Sequence, residues 1–135
     1  MKIANTVATL LALLFVGNGV YMLVNPEAWY WAVPGVPDTG AFNPHFVRDI
    51  GFIYLLSGLA VAAGLVWSSQ RLGLWCTAAA WHSAHALFHV WEVVVGICTP
   101  DALVRDFAGI TLPAIIACVL VWWAKRYAPS ALAQG

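Results

Sequence analysis

The sequence predicts an all-α membrane protein, a polytopic four-helix bundle running up-down-up-down with both termini in the cytoplasm. Three observations carry this. Of 135 residues, 62% are hydrophobic and 9% charged, against about 45–50% apolar and about 25% charged in an average soluble domain. A chain this short cannot hide that surplus inside a water-facing sphere. Four apolar stretches each approach the roughly 20 residues that a spanning helix needs. Basic and acidic residues separate onto opposite sides of those stretches. A soluble globular enzyme and a disordered chain are both disfavoured.

The expected spans are about residues 3–24, 44–67, 72–97 and 108–123, within one domain covering 1–135. Lys2 before an apolar run imitates a signal peptide, but the run is long and no A-x-A-like site follows, so the first span is read as retained. Residues 25–43 form a long external loop. Its opening, Glu27 to Ala32, reads as an interfacial turn of helix, and Pro34 to Gly40 is a run of turn formers. A loop of this length is either a lid or slack. Asn43 followed by Pro44 reads as an N-cap with proline at the first helical position. Gly17 and Gly19 flank Asn18 on the first helix. Gly51, Gly58 and Ala62 on the second helix, and Ala78, Ala79, Ala80, Ser83, Ala84 and Ala86 on the third, suit close helix packing. Pro113 is expected to kink the fourth helix.

Lys2, Arg71, Lys125 and Arg126 fall on one side, and Glu27, Asp38, Asp49, Asp101 and Asp106 on the other, with Arg48 and Arg105. The positive-inside rule then sets the orientation in a bacterial-type inner membrane. Trp67, Trp75, Trp122 and Trp123 at one level, and Trp29 and Trp31 at the other, read as aromatic belts. Net charge is zero and no basic run occurs, so nucleic-acid binding has no electrostatic footprint. Cys76, Cys98 and Cys118 lack CxxC spacing; no disulfide framework is indicated, and Cys76 and Cys118 read as small packing residues.

One constellation stands out. His82, His85, His89 and Glu92 on the third helix are spaced 3, 4 and 3 apart. They fall within roughly an 80° arc and span about 15 Å of axis, so they share one face. Ionisable groups inside a membrane are costly, face the bundle interior and mark functional sites. Matching depth suggests an Arg48–Glu92 ion pair, with Asp49 orienting or ligating His89. Tyr54 and Asn18 add polarity in the outer half, and His45 sits at the mouth.

The leading reading of this face is metal binding with a redox or hydrolytic role. His85 and His89 at i and i+4 can share one metal ion, completed by Glu92 or Asp49, with a second, deeper site at His82; zinc, iron, copper and manganese all suit imidazole with carboxylate. Haem b ranks lower, because every deep histidine is on one helix and the second axial ligand would have to come from a homodimer. A metal-free proton relay or a quinone- or lipid-binding pocket is the alternative. An accessory subunit of a larger membrane complex is another, with Trp81 and Trp91 as partner or lipid contacts. The lipid bilayer is the one partner common to all.

In span number, length and the Gly-rich end of the first helix, the chain resembles the small four-span DoxX-like bacterial membrane proteins, and the stretch Pro34 to Gly51 has the look of a bacterial family motif. DoxX relatives have been linked to quinone-dependent redox chemistry and to accessory roles, so the resemblance implies a redox or quinone setting. It carries over no catalytic residue.

Overall fold

Two Asn-Pro pairs set the frame. In a computed structural model, which describes residues 2–127, every regular element is helical. Helix α1 covers Lys2–Val24, and Asn25 then caps the short α2, Pro26–Ala32, by accepting from the Ala28 amide. A 3-10 turn, Val36–Thr39, follows. The Asn43 side chain accepts from the His45 and Phe46 amides and opens α3, Pro44–Val66, where the sequence expects it. Both caps satisfy amides that have no partner within the helix, while proline fills a position whose amide would be idle. Helix α4 covers Arg71–Val94, and α5 covers Asp101–Asp106. A π-helical turn at Phe107–Thr111 joins α5 to α6, Leu112–Arg126.

Three helices among the described residues are long and apolar enough to cross a membrane: Lys2–Val24, Pro44–Val66 and the continuous run Asp101–Arg126. The last begins seven residues before the expected fourth span. Helix α4 matches them in length at 24 residues but not in apolarity, because the three histidines, Arg71, Thr77, Ser83 and Glu92 dilute its hydropathy.

Helices α1 and α3 form the most extensive contact, followed by α4 with α6 and α3 with α4; α1 also touches α6. The α1–α3 seam is made by glycines. A Cβ at Gly58 would lie 2.7 Å from the Val16 amide nitrogen, and one at Gly19 would lie 2.7 Å from the Gly51 carbonyl oxygen. Such approach lets two backbones pack directly, as small-residue seams do in membranes. Phe15, Met22, Val61 and Trp75 are the largest fully buried side chains.

Trp75 corrects an expectation. It is a core residue at 1% exposure, its indole donates to the Val61 carbonyl at 3.0 Å, and it lies against Gly64. Arg71 donates to the Gly64 carbonyl at 2.8 Å and lies over the Trp75 ring. Together these clamp α3 to α4 beside the turn that joins them. Cys76 and Cys118 are exposed rather than packed inside. Pro113 is associated with the π turn, since it cannot donate back to the carbonyl four residues earlier.

Candidate functional site

Away from the Trp75 clamp the helices diverge around a cavity of about 840 Å³. Its walls are mainly apolar and aromatic, with Phe15, Trp29, Tyr30, Tyr54, Trp81 and Phe88 among them; its polar groups include Asn18, His85, His89, Glu92, Arg105 and Asp106. Pockets for small molecules have this make-up, a greasy body with a few convergent polar atoms.

The ionisable face of α4 divides along this cavity. His82 is 2% exposed and is not among the lining residues. Its ring stacks on Phe15 at 3.7 Å between centroids and meets Tyr54 edge-on at 5.1 Å. His85 lies one turn on, stacked over Trp81 at 5.0 Å and perpendicular to His89 at 4.8 Å. His89 holds its Nδ1 atom 3.2 Å from Asp106 Oδ2 and 4.0 Å from Glu92 Oε2. Arg105 completes the chain: its Nε donates to Asp106 Oδ1 at 2.8 Å and its Nη2 to Oδ2 at 3.3 Å. A two-pronged guanidinium contact of this kind fixes a carboxylate in orientation as well as in charge. Asp106 thus lies between the guanidinium and the imidazole.

Asp106 therefore stands beside His89 where Asp49 is expected, and Arg105 pairs with Asp106 and Asp38 rather than with Glu92. Arg48 is exposed and donates to the Leu23 carbonyl at 3.3 Å instead of pairing with Glu92. Asp49 pairs with His45 at 3.2 Å, and both side chains are more than half exposed. None of the three lines the cavity. The physical reason is the divergence of α3 from α4: equal depth does not bring Arg48 to Glu92 when the cavity separates their helices. Tyr54 and Asn18 do line it, as expected.

Asn18 has a partner that the sequence reading misses. Its side-chain oxygen accepts from the Trp29 indole at 2.9 Å, so Trp29 roofs the cavity rather than serving only in a belt. A signal for Asp106 is present in the sequence. Helices α4 and α5 are joined by a short turn, and His89 and Asp106 stand equally far from its Ile97–Cys98 centre.

Among the described residues, no group of three or more His, Cys, Asp and Glu side chains is placed to hold a metal ion. No family model, curated protein or solved structure matches the chain.

Proposed function

We propose that this chain is a multi-pass protein of a bacterial-type inner membrane that binds a quinone- or lipid-class molecule and exchanges a proton with it. In this reading α1, α3, α4 and the run α5–α6 form an up-down-up-down four-helix bundle, with both termini in the cytoplasm and the cavity in the outer half. One observation carries the proposal. The polar end of an apolar cavity of about 840 Å³ is a histidine held by a carboxylate, itself gripped by an arginine. Such a group donates or accepts a hydrogen bond at an oxygen of the ligand head and moves a proton to or from it. The aromatic walls suit the apolar body. The resemblance to DoxX-like proteins agrees with a quinone setting.

The test is quenching of cavity tryptophan fluorescence, from Trp29 and Trp81, by a short-chain quinone, alongside organic extraction and mass spectrometry of the purified protein. His89→Ala is expected to weaken quinone binding by about tenfold, the loss of one hydrogen bond. Equal affinity in the variant refutes the role of His89. A lipid in the extract with no quinone binding shifts the ligand class to lipid.

One observation favours a second reading. The Asp106 contact at Nδ1 is the kind of carboxylate support that metal-bound histidines receive, and His85 lies beside His89. A zinc, iron, copper or manganese ion on these two imidazoles would draw its remaining ligands from Glu92 or from the bound molecule. Elemental analysis separates the readings: stoichiometric metal that disappears in His85→Ala and His89→Ala selects this one.

A further inference from the structure

The segment between α1 and α3 is tied mainly to itself and to those two helices. Tyr30 is buried, and its hydroxyl donates to the Gly40 carbonyl at 2.6 Å, with the Pro37 carbonyl at 3.4 Å. The 3-10 turn is closed by its own backbone bond from the Asp38 amide to the Gly35 carbonyl. Helix α2 packs on α1 and α3, and the backbones of α2 and the 3-10 turn do not approach those of α4, α5, α6 or the π turn. The segment is thus a preformed plate hinged on one side of the cavity.

Across the mouth it is met by Arg105 from the other side. Arg105 places Nη1 3.6 Å from Asp38 Oδ2. Its guanidinium fills the space where a Cβ on Gly35 would sit, and Gly35 has a positive φ of 84°. Glycine here both permits the turn and admits the arginine. The same arginine grips Asp106, the partner of His89.

We propose that residues 25–43 are a hinged lid over the cavity, latched at its free edge by the Asp38–Arg105 pair. The latch is built to be weak. Asp38 is 79% exposed and Arg105 31%, and ion pairs of that exposure contribute little and fade with salt. Releasing Asp38 frees the edge of the plate while Arg105 keeps its hold on Asp106. Opening therefore leaves the His89–Asp106 pair assembled for the molecule that enters. The lid rests on the pocket reading in that it supplies the entrance, but its test needs no ligand.

The experiment reads access to the cavity. Ile50, half-buried in the cavity wall, is replaced by cysteine in protein whose three native cysteines are changed to alanine, and the rate of reaction with a charged, water-soluble thiol reagent is measured. Asp38→Asn is expected to raise the rate about two- to fivefold, the range set by an exposed ion pair. Raising salt from about 0.05 to about 0.5 M is expected to do the same in the Asp38 protein but not in Asp38→Asn. Asp38→Glu retains the slow rate. An unchanged rate in Asp38→Asn with no salt response overturns the latch. Should Ile50→Cys fail to fold, hydrogen exchange at the amides of Val36, Asp38, Thr39 and Gly40 in the native chain is compared with and without Asp38→Asn; faster exchange in the variant supports the latch, and equal exchange overturns it. A short-chain quinone that fails to protect the introduced cysteine, while the latch response persists, counts against the pocket reading alone.

Discussion

Asp106 places a carboxylate oxygen 3.2 Å from His89 Nδ1 while Arg105 holds the same carboxylate through two nitrogens. Two side chains in contact within one network are expected to be coupled, so a double-mutant cycle of His89→Ala and Asp106→Ala should show a coupling of about 0.5–3 kcal/mol in stability. Arg48→Ala with Glu92→Ala should instead be additive, since Arg48 reaches the Leu23 carbonyl and lies off the cavity. Additive behaviour at His89 and Asp106, or coupling at Arg48 and Glu92, reverses the assignment. The residues of α4 are legible from spacing alone, because a 3, 4, 3 pattern dictates one helix face whatever surrounds it. Their partners are not. Depth in a membrane ranks candidates along one axis, whereas partnership also depends on which helices adjoin, and Asp106 comes from the neighbour of α4 that the short turn provides.

At the scale of elements, the π turn matters most. Its hydrogen-bonded ring holds one residue more than an α-helical ring, so it rotates α5 relative to α6 by about 100°. Arg105 and Asp106 line the cavity, while α6 keeps Ala114, Ala117, Leu120 and Ala124 buried. Deleting Gly109, which lies within the π turn and lines the cavity, should remove the surplus residue, restore α-helical spacing and leave Asp106 in its present phase relative to α6. The expected readout is a protein that remains helical by circular dichroism and binds quinone as the native chain does; binding like Asp106→Ala would show that the π turn itself, and not the phase it sets, positions Asp106. Pro113 announces a disturbance in the helix, but proline chemistry does not say whether it becomes a kink or an inserted residue, and the kink is the commoner expectation. Asn25-Pro26 carries the same start signal as Asn43-Pro44, although only the second stands next to a long apolar run. On the α1–α3 seam, Gly58→Val should cost about 1–3 kcal/mol through overpacking, measured as a lower midpoint of thermal unfolding in detergent.

For the whole molecule, composition is decisive and topology less so. The surplus of apolar residues fixes the class of protein, and it agrees with three helices long and apolar enough to cross a membrane. Helix α4 falls outside that set because its site residues displace apolar ones, a case of functional chemistry weakening the local signal that locates it. The expected orientation is directly testable: protease-cleavable tags at the two ends should both be cut from the cytoplasmic side of membrane vesicles, and cleavage of one end only would require an odd number of crossings.

The Trp75 clamp gives the architecture a mechanical property. Helices α3 and α4 are fastened beside their joining turn by Trp75 and Arg71 and separated by the cavity at their far ends. They act as a pair of levers on a common pivot, each roughly 35 Å long at 1.5 Å per residue. A rotation of about 5° at the pivot moves the far ends by about 3 Å. A change in the lateral pressure of a surrounding bilayer that turned this pivot would be magnified where the cavity lies.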